Sequence, residues 1–440
     1  MCMRSEFLNL KIPLPIAVIG LGISGNSALE LLLCLGVPRN QISTFDSKAP
    51  ADFKDPELLL ETAGPRSFCV SPGVPLSTDW IASALGAGVR ITSELEISFS
   101  FLTSEMVIGI TGSVGKSTTT SLLGAGALAV DPHTFVGGNL GTPLAQYVID
   151  LLAKHRQRAE LVLLELSSYQ LENFSNLRSD ISLLTFLSPN HMERYPSLEK
   201  YYASKLSLFD RTQKFAVLNK AGGAAASKLQ EIQSKNPILE VSIADRESSQ
   251  FKFRLVHKPA LVGLHNQDNL AMAFLVADKL HWPQASYEAM LSFPGLPHRL
   301  ESLGRHKNIL FLNDSKATTI DSVLQAVASI QSEFAGSKIH LLLGGRDKNL
   351  PWQNLSTLGQ SADLSFSFFG EFAAGAQAKS RLAGNSFQDL KSCLRDYRTW
   401  ISHRDVVLFS PGGTSHDEFK NFEERGLYFK RWVLSEFQNG

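Results

Sequence analysis

Cysteine is scarce in this chain, and the little there is forms no framework. Four cysteines stand among 440 residues, at Cys2, Cys34, Cys69 and Cys393. No pair has the spacing that a zinc site or a disulfide scaffold requires, which excludes a small stapled fold and fits a reducing compartment. An excess of charge is missing too. The 42 basic side chains face 42 acidic ones without a long run of either sign, so the footprint of a nucleic-acid binder or of a protein drawn to an anionic membrane is absent. Long apolar runs are also lacking: Leu29 to Val37 is too short to span a bilayer, and Met1 to Phe7 lacks the apolar core of a secretory signal. No internal repeat, low-complexity tract or proline- and serine-rich linker interrupts the chain. What remains is the expectation of a cytoplasmic protein that handles small molecules, binds no nucleic acid and inserts into no membrane.

Its length predicts roughly three domains at about 150 residues each. Short apolar runs end in Gly, Asp, Asn or Ser: Ile16 to Ile19, Met106 to Ile110, Leu161 to Leu166, Ile181 to Leu187, Phe215 to Leu218, Ile309 to Leu312, Ile339 to Leu343 and Val406 to Phe409. Continuous rather than alternating apolar character predicts parallel strands covered by helices on both faces. Helical patterns lie between them, as at Ser24 to Leu35, Ser117 to Leu128 and Asn266 to Leu280. The class expected is therefore α/β, doubly wound. Boundaries fall near residue 101, after the stretch Leu95 to Leu102, and near residue 296, within Phe293-Pro-Gly-Leu-Pro297, which gives segments 1–101, 102–296 and 297–440.

Gly112-Ser113-Val114-Gly115-Lys116-Ser117-Thr118 lies between the run Met106 to Ile110 and a helical pattern. A loop of this kind cradles phosphate, because its backbone N–H groups and the helix dipole behind it both favour an anion. Lys116 is expected to neutralise the β- and γ-phosphates of ATP, and the Ser117 hydroxyl, with Thr118 beside it, to sit on Mg²⁺. The longer form of the motif asks for glycine where Ile110 stands, so the match is to the shorter Gly-x-x-Gly-Lys-Ser-Thr.

A second glycine loop, Gly20-Leu-Gly22-Ile-Ser-Gly25, follows the first apolar run, and Asp46 stands about twenty residues further on, where a ribose-contacting carboxylate would lie. A nicotinamide-dependent oxidoreductase uses such a loop, and so does a plain strand-to-helix turn. With an ATP loop already present, an economical reading gives the first segment a nucleotide-linked substrate and the second ATP. Ser71-Pro72-Gly73-Val74-Pro75 would provide another backbone wall.

Further strings extend the pattern: Gly137-Gly-Asn-Leu-Gly141, Leu164-Glu-Leu-Ser-Ser-Tyr-Gln-Leu-Glu172, His191-Met-Glu-Arg-Tyr195, Gly263-Leu-His-Asn266, Leu296-Pro-His-Arg-Leu-Glu301, Asn313-Asp-Ser-Lys-Ala-Thr318, Leu343-Gly-Gly-Arg-Asp-Lys348 and Ser410-Pro-Gly-Gly-Thr-Ser-His-Asp-Glu-Phe-Lys-Asn-Phe422. In this order and combination, from Gly20 to Phe422, the chain resembles the Mur ligase family, and within it the branch that adds D-glutamate to UDP-N-acetylmuramoyl-L-alanine. The resemblance implies three domains: a Rossmann-like one for the UDP substrate, a central P-loop ATPase-type parallel sheet, and a Rossmann-like C-terminal one that closes over the amino acid. It implies a monomer. It also implies the chemistry, in which ATP phosphorylates the substrate carboxylate and the amine of D-glutamate displaces phosphate from the acyl phosphate. Such a transfer gathers negative charge that only cations and preorganised donors stabilise.

The resemblance also assigns residues. Glu165 joins Ser117 on one Mg²⁺, an oxygen-donor set that suits the ion, although a glutamate at a strand end also caps helices. His191 and Lys205 serve a second Mg²⁺, Lys205 as a carbamate. By pattern alone Lys205, in the helix around Leu198 to Phe209, reads as a surface lysine. Carbamylation needs a deprotonated amine and so a desolvated or metal-flanked position. Besides the loop Gly112 to Thr118, ATP is assigned Asn269, His298, Arg299, Asp314 and Lys316, with Arg299 suited to bidentate phosphate contact. The UDP substrate is assigned Ile23, Ser24, Asp46, Ser47, Gly73, Asn139, Ser167, Gln170 and His191, with Lys48 nearby. D-Glutamate is assigned Thr318, Lys348, Ser415, the backbone of His416, and Phe422. Three positions depart from the family pattern: Val114 and Phe186 stand where asparagine is usual, and Asn190 where aspartate precedes the histidine.

Overall fold

The computed structural model describes residues 12–437 apart from 175, 191, 193 and 402–404. Three sheets carry the architecture. The first holds β1 (Ile16–Ile19), β2 (Ile42–Phe45), β3 (Ser67–Val70) and β4 (Arg90–Thr92), parallel and in the order β2-β1-β3-β4. Alternation along β1 feeds two cores at once. Ile16 and Val18 pack with Ala28, Leu31 and Leu32 of the helix Ile23–Cys34, whereas Ala17 and Ile19 pack with Leu59, Phe68 and Ile81 on the other face. Covering both faces is what a parallel sheet requires.

The second sheet comprises β5 (Met106–Thr111), β6 (Phe135–Gly138), β7 (Leu161–Glu165), β8 (Ser179–Leu184), β9 (Thr212–Asn219) and β10 (Glu240–Ala244), parallel and in the order β10-β9-β8-β5-β7-β6. The third comprises β11 (Glu301–His306), β12 (Ile309–Asn313), β13 (Ile339–Gly344), β14 (Leu364–Phe369), β15 (Gly384–Phe387) and β16 (Val406–Gly412), in the order β11-β12-β16-β13-β14-β15. Only the β11–β12 pairing is antiparallel here. Lys307 and Asn308, both at positive φ, make its two-residue turn, as a twisted hairpin demands.

The described residues up to Val256, together with Asp268–Met290, form one compact unit, and His257–Gln267 with the residues from Leu291 onward form another. The α/β class expected from the apolar runs is the class observed. One run was read too long. β8 stops at Leu184, because Phe186 turns aside to bridge Val114 and Leu187 to bridge Gly223. Among the described residues no helix is long and apolar enough to cross a membrane.

Candidate active site

β5 lies at the centre of the second sheet, where connections leave in both directions, and ligands of open α/β sheets collect beyond the carboxyl ends of strands at such a point. There the chain turns through Gly112 at φ +148° and Gly115 at φ +88°, backbone conformations that favour glycine. Space is restricted as well. A Cβ on Gly112 would lie 2.1 Å from Thr185 Oγ1, and one on Gly115 2.7 Å from Asn269 Oδ1. The helix Lys116–Leu128 begins directly at Gly115 without a side-chain cap, which presents its first N–H groups to the loop.

The segment after β8 holds this loop from one side. Ser113 N–H donates to Phe186 O at 2.6 Å, and the Thr185 hydroxyl donates to Val114 O at 2.6 Å. Val114 and Phe186 form an antiparallel bridge. Two of the three departures from the family pattern therefore face each other.

Lys116 arches over its own loop, donating to the carbonyls of Gly112 at 2.9 Å and Ser113 at 3.2 Å. Lys205 Nζ donates to the same Gly112 carbonyl at 2.8 Å. The surface reading of Lys205 is overturned: the helix Leu198–Leu206 turns Tyr201, Tyr202, Lys205 and Leu206 inward, and Lys205 is 2% exposed. Burial, reinforced by the charge of Lys116 and opposed by Glu165, holds its amine well below the usual lysine range.

Glu165 ends β7 and is buried. Its Oε1 accepts from Asn139 Nδ2 at 2.6 Å, while Oε2 has no hydrogen-bond partner among the described residues. The helix after it is capped by Ser167, not by Glu165. Ser167 Oγ accepts from Gln170 N–H at 3.2 Å and Gln170 Oε1 from Ser167 N–H at 3.0 Å, a reciprocal capping box. Asn269 Oδ1 accepts from Thr119 Oγ1 at 3.2 Å, which brings it against the phosphate loop. The loop, Glu165, Lys205, Asn139 and Asn269 thus form one constellation in the first unit. His191 lies outside the described residues. No group of three or more His, Cys, Asp or Glu side chains is placed to hold a metal among the described residues.

In the first sheet the order β2-β1-β3-β4 sets the ends of β1 and β3 side by side. Gly20, at φ +84°, and Ser71 meet there, with Ser71 Oγ donating to Gly20 O at 2.6 Å. Gly25 is indispensable to the turn, since a Cβ on it would stand 1.9 Å from Gly20 O. Asp46 has a use that its spacing did not reveal. It accepts from Leu21 N–H at 2.7 Å and from Lys48 and Ala49 N–H at 2.8 Å each, and these bonds hold its carboxyl below the ordinary aspartate range. Ser24 is half-buried, and Ser47, Gly73 and Ile23 are exposed around this mouth, Ile23 at 72%.

The remaining candidates belong to the second unit. Asp314 is buried, accepting from Ser410 Oγ at 2.8 Å and Leu300 N–H at 3.2 Å, and burial pushes its carboxyl up to about 7. His298 and Leu300 flank Arg299 at φ +62° and +45°, strained for side-chain-bearing residues. His298 Nδ1 lies 2.9 Å from Asn313 Nδ2, and burial lowers the imidazole pKa. The Lys316 ammonium sits 3.8 Å from the centre of the Phe422 ring, a cation–π contact. Lys348 and His416 are exposed, Thr318 is half-buried and Ser415 is buried. The loops carrying Lys348 and Ser415 meet where Arg346 and Thr414 pair. Sequence reading missed Arg425. This fully buried guanidinium reaches Ser315 and Gly413, holding the Asp314–Lys316 loop against the one that leads to Ser415.

A glycine phosphate loop closing the central strand of a parallel sheet, a buried strand-end carboxylate and two lysines sharing one loop carbonyl define a nucleotide-dependent enzyme of the phosphate-loop class. The family model of the Mur ligase middle domain matches residues 110–277. The chain belongs to the Mur ligase family, among the UDP-N-acetylmuramoylalanine–D-glutamate ligases. The ligase of that name from Anaeromyxobacter dehalogenans is 33% identical over 412 residues, covering 87% of this chain and 84% of the relative. The one from Escherichia coli strain K12 is 30% identical over 438 residues, covering 94% and 97%. Among solved structures, the Thermotoga maritima MurF ligase in complex with ADP superposes with a TM-score of 0.59 at 15% identity, covering 96% of this chain and 94% of that one. The Thermotoga maritima UDP-N-acetylmuramate–alanine ligase MurC gives 0.57 at 16% identity, covering 97% and 100%. These two share the fold.

Proposed function

We propose that this protein joins D-glutamate to the L-alanyl carboxylate of UDP-N-acetylmuramoyl-L-alanine, converting ATP to ADP and phosphate, in the cytoplasmic synthesis of peptidoglycan precursors. The observation that carries the reading is the buried Glu165 carboxylate, with one oxygen left without a partner, in one constellation with a phosphate loop whose Gly112 carbonyl gathers Lys116 and Lys205. Relatives named for this reaction, matched over most of both chains, support the choice of substrates.

A carboxylate resists amines because its leaving group would be oxide. Transfer of the γ-phosphoryl group from ATP turns the carboxylate into an acyl phosphate, a mixed anhydride; the amine then adds to the carbonyl carbon, the C–O bond breaks, phosphate leaves and the amine loses a proton. Loop N–H groups and Lys116 hold the phosphates in line. Ser117 and Glu165 offer the hard oxygen donors that Mg²⁺ takes, and the ion would screen charge on the phosphates. Lys205, held toward its neutral form by burial, is suited to react with carbon dioxide, losing a proton to become a carbamate; with His191 it would serve a second Mg²⁺. The Gly20 and Ser71 loops receive the UDP portion. His298, Arg299, Asp314 and Lys316 attend the nucleotide, and Thr318, Lys348, Ser415, His416 and Phe422 the amino acid. Division near residues 101 and 296 into three domains, and action as a monomer, belong to the same proposal.

Product mass analysis tests it, with ATP, the UDP substrate and a panel of amino acids. Phosphate release should require both co-substrates, and the product should gain one glutamyl residue from the D-isomer. ATP turnover indifferent to either co-substrate, or a product carrying another amino acid, would overturn the reading.

A further inference from the structure

Behind the phosphate loop lies a polar junction that no phosphate contact explains. Ser113 Oγ donates to Ser188 O at 2.9 Å, accepts from Ser188 N–H at 3.2 Å and accepts from the Tyr201 hydroxyl at 3.0 Å. One donor and two acceptor sites are all that a serine hydroxyl has. Because the Ser113 N–H is also committed, to Phe186 O, this residue spends its polar groups on fixing the loop. Tyr201 is the far end of that fixation. It is fully buried on the helix Leu198–Leu206, and its ring lies 4.8 Å from Lys205 Nζ, the amine bound to Gly112 O. Two links therefore run from one side chain to adjacent loop residues, one by hydrogen bond to Ser113 and one through Lys205 to Gly112.

We propose that Tyr201 is a positioning residue for nucleotide binding: its hydroxyl locks Ser113, and through it the backbone N–H groups of the phosphate loop, while its ring seats the Lys205 side chain. Tyr201 touches no reacting atom in this role. Its contribution is paid in ATP affinity, since a loop free to sample other conformations binds only in the fraction that is correctly formed. The proposal rests on the reading that Gly112 to Thr118 binds ATP.

The test measures ATP affinity by calorimetry and loop amide exchange in the wild type and in Tyr201→Phe, Tyr202→Phe and Lys116→Ala. Tyr201→Phe removes one oxygen and keeps the ring. It should weaken ATP binding about three- to tenfold, the worth of one buried hydrogen bond. The same variant should raise KM for ATP with kcat within about twofold, leave KM for the other substrates unchanged, and speed exchange at the Ser113 and Ser188 amides. Tyr202→Phe, its buried neighbour, should change none of these. Should Tyr201→Phe fold poorly, Ser113→Ala breaks the same bond from the loop side, together with the two to Ser188, and must show at least that loss of affinity. Unchanged affinity and exchange in Tyr201→Phe, with ATP binding lost in Lys116→Ala, would overturn the role of Tyr201 alone. ATP binding retained in Lys116→Ala would overturn the loop reading beneath it.

Discussion

Replacing Arg425 by methionine separates the positioning of loops from bulk stability. The guanidinium donates from Nε to Ser315 Oγ at 3.1 Å, from Nη2 to Ser315 O at 2.8 Å and from Nη1 to Gly413 O at 3.1 Å. Burial lowers its pKa from the ordinary arginine value to about 10, equivalent to roughly 3 kcal/mol of cost for keeping the cation inside. Methionine removes that cost along with the bonds. Each carbonyl stripped of its donor costs about 1–3 kcal/mol, so two of them cost about 2–6 kcal/mol, while Ser315 Oγ keeps its bond to Phe422 O. Offset by the roughly 3 kcal/mol regained, the net loss should not exceed about 3 kcal/mol. Its hydrogen-bond partners are neutral oxygens, and the Asp417 and Glu418 carboxylates act on it only through their field, so no hydrogen-bonded ion pair is broken, the circumstance that makes losing one partner so damaging. Function should fall further than stability, because Ser315 lies between Asp314 and Lys316, and Gly413 lies two residues before Ser415. Urea unfolding and steady-state phosphate release measure the two effects on one preparation. We expect KM for the amino acid to rise about tenfold or more, as loss of about 1.4 kcal/mol of binding implies. A stability loss well beyond about 3 kcal/mol with KM unchanged would refute the argument.

Glu165→Gln keeps the shape and the contact with Asn139 but removes the charge; phosphate release should drop about 100-fold or more with the circular dichroism spectrum unchanged, and near-normal turnover would count against Glu165 as a cation ligand. Gly115→Ala forces a side chain into φ +88° and against Asn269; at about 1–2 kcal/mol for the backbone alone, ATP affinity should fall about tenfold by calorimetry, and unaltered affinity would show that the loop tolerates another shape. For Asp314, burial raises the carboxyl from 3.8 to about 7, so between these values the folded state holds a proton that the unfolded state has lost. Its stabilisation is therefore complete below the lower value and is lost as pH rises through about 7. Melting temperatures from pH 5 to 8 should decline less steeply in Asp314→Asn than in the wild type, and parallel curves would sink the assignment.

The strands that could be read from sequence are those buried on both faces. β5, β7, β13 and β16 present unbroken apolar runs, because a parallel sheet between helices leaves few positions to water. Edge strands escaped for the opposite reason. β4 and β15 are three and four residues long, and only Thr92 among their seven positions is buried, so no apolar run marks them. β14 escaped through its serines: Ser365 and Ser367 interrupt the pattern, yet they are there to bond His340, whose two ring nitrogens lie 2.7 and 2.9 Å from their hydroxyls. A polar residue inside a strand signals a turn only when its partner is water, and sequence does not name the partner.

The site divides along the same line. The phosphate loop was legible because its glycines, lysine and hydroxyls are consecutive, whereas Tyr201 and Arg425 act on residues 88 and 110 positions away, beyond any local pattern. Lys205 misled because an amphipathic reading takes lysine as outward-facing, while here the helix turns an inward face on which Tyr201 receives the amine. Val114 and Phe186 show how position-by-position comparison misjudges a contact. Taken singly, each replaces a polar residue with an apolar one beside a phosphate loop. Together they occupy opposite places in one bridge, and the bonds that fix the loop there run from Ser113 N–H to Phe186 O and from the Thr185 hydroxyl to Val114 O. Both bonds end on main-chain carbonyls, which any side chain at 114 or 186 leaves in place. The loop is therefore held by what the two substitutions cannot alter, and the pair costs the site less than either change suggests alone.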